Sequence, residues 1–297
     1  MSDIGEALKG SLHRGFVGNR TARFLACEVA KLAELARQQH ALEPEAARLC
    51  AEAMVATLLM SAWVKGRERV TVQIQAERPK FAFVADADAE AGIRARFSPA
   101  KVRRMPEDGG IEGYLHAIRA DVKTEVYRGI TALDGRTIED ALAAHLQDSE
   151  QVEGFLRIGV TQDEDGRIAF AGGLLVERLP PHSELPWLTS EAFSHVYAGL
   201  KEQSVSDLLV ALAFGKIADQ DIELLENREA RWRCDCSMER IEAMLYSLGV
   251  RELTAMRTED GQAEVSCHFC NVAYVVSGAR LGELIEQHAQ GTSAAEA

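Results

Sequence analysis

The chain has 297 residues, of which 47% are hydrophobic, and its formal net charge is −13. This length allows one large domain and a smaller one, and so negative a surface repels phosphate backbones, which disfavours nucleic acid as a partner. No apolar run approaches a membrane span and the first residues lack the pattern of a secretion signal, so we expect a soluble cytoplasmic protein that binds no membrane.

The first part of the chain alternates strand and helix patterns. Helices are predicted for "AKLAELARQQH", for "EAARLCAEAMVATLLMSAWV", which is apolar nearly all round, and for "TIEDALAAHLQDSE", where Thr137 is placed as the N-cap. Strands are predicted for "ARFLACEV", "RVTVQIQAE", "KFAFVAD", "AGIRARF", "EVYRGITAL", "EGFLRIGV" and "RIAFAGGLLVERL". Asp165 and Gly166 lie between the last two strands and suit a hairpin turn. This pattern favours the α+β class, with a large N-terminal domain over residues 1–179 that is rich in antiparallel strands.

The pattern changes near Pro180, where strands give way to short, acidic, helical segments. We therefore predict a helical linker over residues 180–230, with a limited core of its own. Its apolar side chains include Leu208, Leu209, Leu212 and Phe214. Composition leaves two interpretations open, a set of ordinary packed helices and a metastable segment.

The last part, residues 231–288, has the pattern of a small compact domain. A helix over "ERIEAMLYSLG" ends at Gly249. Its apolar face is predicted to consist of Ile241, Met244, Leu245 and Leu248. "ELTAMRTEDGQAEVSCHF" is interpreted as two strands about a Glu-Asp-Gly turn, "NVAYVVS" as a further strand, and "ARLGELIEQ" as a closing helix. Residues 289–297 are predicted to form a disordered tail.

Four of the six cysteines cluster in this last part, at Cys234, Cys236, Cys267 and Cys270. Residues i and i+2 of an extended segment share one face, and a C-x-x-C turn aims two sulfurs at one ion. Four thiolates at tetrahedral corners suit Zn²⁺. A domain with so small a core commonly needs a structural metal or another cross-link to be stable. Cysteine fills every corner, so no position is left for a catalytic water and we do not expect an enzyme.

Nearby residues and the remaining cysteines have more ordinary interpretations. Cys27 and Cys50 lie in apolar segments and are interpreted as small buried hydrophobic residues. His268 could replace one ligand, although a surface position on the turn is favoured. Arg231 and Arg233 could offset part of the negative charge of a zinc–thiolate site.

Several other functions fit the residues less well. Zinc deaminases need a His-x-Glu motif and Pro-Cys-x-x-Cys, whereas Ser266 precedes Cys267 here. A thioredoxin-type oxidoreductase would carry C-x-x-C in a βαβ unit without a C-x-C partner. "AGG" at 171–173 lacks the lysine of a phosphate loop and suggests close backbone approach. Ser194 and His195 have no nearby acid, so an exposed position on a linker helix is expected. The main alternative is a structural zinc-ribbon protein that interacts with nucleic acid or protein.

The chain resembles the heat-shock-protein-33 family of bacterial redox-regulated holdase chaperones. The C-x-C pair, the spacer and the C-x-x-C pair of that family are matched by Cys234, Cys236, Cys267 and Cys270. "YRGITALDGRTIEDALAAHLQDSEQ", "AGGLLVERLP" and "RWRCDCSMERIEAML" with "EDGQAEVSCHFCNVAYVVS" follow the family pattern in order.

The resemblance implies a reduced monomer that holds one Zn²⁺ through these four cysteines and is inactive. It further implies that oxidation forms the disulfides Cys234–Cys236 and Cys267–Cys270, releases zinc, and unfolds the C-terminal region and the linker. The oxidised homodimer would then bind unfolded client proteins without ATP and prevent their aggregation under oxidative stress.

Overall fold

The computed structural model describes residues 8–17, 19–103, 105–121, 124–180 and 222–295. The chain divides into two compact units, Met1–Arg233 and Cys234–Ala297. The N-terminal unit combines helices with a large, mostly antiparallel sheet, so the predicted α+β class is confirmed. No helix in the described part of the chain is both long enough and apolar enough to cross a bilayer.

Ten strands of the described residues form one sheet in the N-terminal unit. They are β1 (Lys9–Val17), β2 (Ala22–Glu28), β3 (Arg69–Arg78), β4 (Lys80–Asp88), β5 (Gly92–Ser98), β6 (Glu112–Ala120), β7 (Glu125–Ala132), β8 (Gly154–Gln162), β9 (Ile168–Arg178) and β10 (Ile222–Trp232). Their order is β7-β6-β3-β4-β5-β10-β1-β2-β9-β8, and β10 runs parallel to β5. All seven strands predicted for this part are present, whereas β1 and β6 were not predicted and β10 was predicted as helix.

Three helices of the described residues pack on this sheet: α1 (Ala30–Gln39), α2 (Pro44–Met60) and α3 (Ile138–Glu150). As its composition predicts, α2 is buried nearly all round, and it contacts β3, β4, β5, β8 and β9. Val70, Val72 and Ile74 of β3 alternate with more exposed neighbours and are fully buried in the same core. The main core therefore lies between α2 and the sheet.

The predicted cap and turn of this unit are confirmed. The Thr137 hydroxyl accepts the N–H of Asp140 at 3.1 Å at the start of α3. Gly166 joins β8 to β9 at φ +75°, a left-handed conformation that glycine adopts without strain. In β9, a Cβ added at Gly173 would lie 2.5 Å from a methyl of Val55, so "AGG" marks close approach rather than a phosphate loop.

The prediction of helix for residues 222–230 is wrong, because these residues belong to β10. Leucine, alanine and glutamate give this segment a local preference for helix. Its backbone instead pairs with β1, and ion pairs across the strands join Lys9 to Glu229 and Arg14 to Glu226, both at 2.7 Å. Pairing with a distant strand has thus outweighed local propensity.

The C-terminal unit contains α4 (Met238–Leu248), α5 (Val250–Glu259), β11 (Gln262–Ser266), β12 (Ala273–Ser277) and α6 (Gly278–Ala295). The predicted first helix is confirmed and ends at Gly249, but only Ile241 and Leu245 of its predicted apolar face are buried. They pack with five other buried residues, Leu253, Ala263, Val276, Leu281 and Leu284.

The predicted strand before the Glu-Asp-Gly turn is wrong, because that segment forms α5. Leu253 is the one fully buried side chain of α5, and it packs in the core of the C-terminal unit. Gly261, at φ +70°, follows the end of α5 and leads into β11, which pairs with β12. Helix α6 continues to Ala295, into the segment predicted as a disordered tail, where alanines favour helix.

Some predictions fall on residues that the structure does not describe. These are the linker helices between residues 181 and 221, the apolar side chains Leu208, Leu209, Leu212 and Phe214, and the pair Ser194 and His195.

Candidate metal centre

The first cysteine pair lies in the segment that precedes α4. Cys234 and Cys236 are followed directly by Ser237, the N-cap of the helix. The Ser237 hydroxyl accepts the N–H of Arg240 at 3.3 Å and so satisfies one of the free donors of the first turn. The capped helix start therefore fixes the backbone immediately after Cys236.

The second pair lies in the turn of the β11–β12 hairpin. The N–H of Cys267 donates to the carbonyl oxygen of Val272 at 2.9 Å, and the N–H of Asn271 donates to that of Cys267 at 2.8 Å. Asn271 adopts φ +57°, a left-handed conformation that asparagine tolerates better than most residues. This tight turn carries both Cys267 and Cys270.

The two loops bring all four sulfurs together, within 4.8 Å of one another. The Sγ atoms of Cys234 and Cys236 are 3.5 Å apart, those of Cys234 and Cys267 3.6 Å, and those of Cys236 and Cys270 3.2 Å. Sulfurs placed about 2.3 Å from a tetrahedral ion lie roughly 3.8 Å from each other. All four are free cysteines, so this cluster could hold a metal ion. These distances do not favour one disulfide pairing over another.

Backbone N–H groups donate to three of the sulfurs. Cys234 accepts from the N–H of Cys236, Cys267 from those of Phe269 and Cys270, and Cys270 from that of Val272. Such donors stabilise negative charge on sulfur. These donors therefore act in favour of the thiolate, the form in which cysteine binds metal, and against the opposing effect of burial.

The surroundings of these thiols shift their pKa values in different directions. Burial raises the pKa of Cys234 to about 11, and burial together with the neighbouring thiols raises that of Cys270. Burial also acts to raise the pKa of Cys267, but the backbone donors and the thiols of Cys270 and Cys234 outweigh it and lower this pKa to about 7. A thiol whose pKa is raised must lose its proton before it binds a metal, so metal binding at Cys234 and Cys270 would release protons.

Tyr274 is a residue of the site that sequence reasoning missed. Its hydroxyl donates to Cys236 Sγ at 3.1 Å, and this bond raises the pKa of the tyrosine. The strand pattern assigns Tyr274 only to the alternation of β12. Its position four residues after Cys270 was the available signal, but a contact with Cys236 depends on how the two loops meet.

The sequence also suggested roles at the site for His268, Arg231 and Arg233. His268 is exposed and does not belong to the cluster, so the interpretation as a surface residue is confirmed. Arg231 pairs with Glu229 at 2.6 Å. Arg233 pairs with Asp88 at 3.1 Å and with Glu90 at 3.0 Å. Within the N-terminal unit, both arginines therefore pair with carboxylates.

Cys27 and Cys50 lie in the core of the N-terminal unit, as predicted. Burial raises the pKa of Cys27, and it raises that of Cys50 to about 12. A thiol that stays protonated is a poor nucleophile, so these two cysteines are unreactive in the folded chain.

Comparison with known proteins gives one consistent answer. A family model described as Hsp33 protein matches residues 10–277. A 33 kDa chaperonin of Citrifermentans bemidjiense is 28% identical, over 94% of this chain and 98% of the relative. A 33 kDa chaperonin of Bacillus subtilis is also 28% identical, over 89% and 94%. The crystal structure of a 33 kDa chaperonin from Thermotoga maritima, a heat shock protein 33 homolog, has a TM-score of 0.74 at 26% identity and covers 94% of this chain and 99% of its own.

Proposed function

The chain belongs to the Hsp33 family, and from this premise we propose that it is a redox-regulated holdase chaperone of the cytoplasm rather than an enzyme. Reduced, it holds one Zn²⁺ and is inactive; oxidised, it binds unfolded client proteins without ATP. The observation that carries the proposal is the convergence of four free thiols within 4.8 Å, on loops that donate N–H groups to them.

Cys234, Cys236, Cys267 and Cys270 are the proposed ligands. The donor set fits zinc because four sulfurs at this spacing match its tetrahedral preference. When bound, zinc holds the sulfurs as thiolates and ties the segment before α4 to the β11–β12 turn. Binding of this kind contributes directly to the folding free energy of a small domain.

In the proposed mechanism, a peroxide oxidises the cysteine pairs and so converts the inactive form to the active form. A thiolate attacks one peroxide oxygen, so that an S–O bond forms, the O–O bond breaks and hydroxide leaves. The second thiolate of the pair attacks that sulfur, the S–S bond forms and a second hydroxide leaves, so two electrons pass from the sulfurs to the peroxide. From the family we infer the pairs Cys234–Cys236 and Cys267–Cys270, and two peroxides then remove all four ligands.

Loss of the ligands removes what holds this small unit together. In the part of it that the structure describes, its core has seven buried apolar residues, among them Leu245, Leu253 and Leu281. We propose that the unit then unfolds and that the apolar side chains it releases bind clients. Exposed apolar surface also accounts for the proposed homodimer of the oxidised form.

The test compares the reduced and the peroxide-treated chain in an aggregation-suppression assay, with zinc and free thiols counted in both. We expect one zinc per reduced chain, loss of four thiols with that zinc on oxidation, and suppression only afterwards. A variant with all four cluster cysteines replaced by serine tests their role, and a variant with Cys27 and Cys50 replaced by alanine is the matched control. Equal suppression by the reduced and oxidised chains would refute the proposed switch.

A further inference from the structure

The sulfur of Cys236 accepts a hydrogen bond from a side-chain hydroxyl. The donors to Cys234, Cys267 and Cys270 are backbone N–H groups, which persist whatever the side chains are. Cys236 accepts from the side chain of Tyr274, at 3.1 Å. This contact can therefore be removed by one substitution while the fold of both loops is left intact.

The Tyr274 hydroxyl is held in place by the elements around it. Its backbone pairs with Val265 across the β11–β12 hairpin. Its ring packs against the core of the C-terminal unit. A donor fixed in this way needs no rearrangement to reach the sulfur, so its effect on Cys236 is built into the folded unit.

A hydrogen bond to a thiolate acts on two properties of the sulfur. It stabilises the negative charge, as charge-assisted bonds do, and so favours the metal-bound state. It also draws electron density from the lone pair that attacks a peroxide, and a less basic sulfur is a weaker nucleophile. Both effects delay oxidation.

We propose that Tyr274 is a positioning residue that sets the oxidation threshold of the cysteine cluster, through its hydrogen bond to Cys236. This inference rests on the proposed zinc–thiolate switch and says which residue regulates its oxidation. The affected step is the first one, in which sulfur attacks peroxide and hydroxide leaves. With the hydroxyl present, that step is slowed.

The experiment compares full-length wild-type chain with Tyr274→Phe, which deletes only the hydroxyl. Tyr246→Phe is the matched control, because Tyr246 is a partly buried ring packed on the same core and stacks on His288 instead of contacting a sulfur. Zinc affinity is measured by competition with a chelator. Zinc release is followed during peroxide treatment, and the sulfur-to-metal charge-transfer band is recorded after substitution with Co²⁺.

For Tyr274→Phe we expect zinc affinity to fall about 10-fold, the usual effect of losing a group that supports a metal ligand. We also expect several-fold faster zinc release by peroxide and a charge-transfer band moved to longer wavelength, because the sulfur holds its electrons less tightly. Tyr246→Phe should match wild type in all three. The band shift separates the hydrogen bond from a merely structural effect, which would change affinity alone.

The outcomes distinguish this inference from the proposed function. If wild type binds zinc and loses it to peroxide while Tyr274→Phe behaves like Tyr246→Phe, only the role of Tyr274 is refuted. If wild type binds zinc and keeps it under peroxide, the proposed switch is refuted, and the inferred role of Tyr274 in setting the oxidation threshold is refuted with it. If wild type binds neither zinc nor Co²⁺, both are refuted.

Discussion

Removing zinc from the reduced chain should unfold the C-terminal unit and leave the N-terminal unit folded. Among the described residues of the C-terminal unit, the buried aliphatic side chains are few, six besides Ala263. Each contributes about 1.5–3 kcal/mol before the entropy of folding is subtracted. A domain of roughly 60 residues retains a net stability of about 3–10 kcal/mol. Structural zinc contributes about 10–16 kcal/mol in comparable small folds, so its loss exceeds that margin.

Hydrogen exchange, with the metal removed by a chelator under reducing conditions, measures this directly. Amides of α4, α5 and α6 should lose their protection, whereas those of α2 in the N-terminal core should keep theirs and serve as the internal control. Restoring zinc should restore protection. Full protection of α4 to α6 in a chain shown by elemental analysis to be metal-free would refute the argument, because the small core would then be sufficient by itself.

Three further predictions test the packing around the switch. Leu253→Ala empties a fully buried position and should lower the stability of the C-terminal unit by about 2–5 kcal/mol. It should also lower the peroxide concentration that is needed for zinc release. Leu248→Ala, at a side chain that is 47% exposed, should change the stability by under about 0.5 kcal/mol. An alkylating reagent applied to the chelator-treated chain, in which the N-terminal unit stays folded, should label the four cluster cysteines and spare Cys27 and Cys50, as peptide masses would reveal. A label on Cys50 would contradict its burial. Gly173→Ala should lower the stability of the N-terminal unit by about 1–3 kcal/mol, because its Cβ would lie 2.5 Å from a methyl of Val55. A lower urea midpoint of that unit would show the loss.

The sequence alone determined the chemistry of the candidate site and the elements that depend on local pattern. Four cysteines in C-x-C and C-x-x-C spacing identify a metal-binding set wherever the loops come to lie. Alternation in β3, the apolar length of α2 and the Thr137 cap each depend on residues only a few positions apart, so they could be predicted without the fold.

Only the tertiary structure decided which distant segments meet. Residues 222–230 carry a helical preference, yet they form a strand because β1 offers a paired backbone and matching cations. The bond from Tyr274 to Cys236 likewise joins a residue of β12 to one in the segment before α4. Neither contact leaves a periodic signal, because its free energy arises between groups far apart in the chain and is gained only once the rest of the unit has folded.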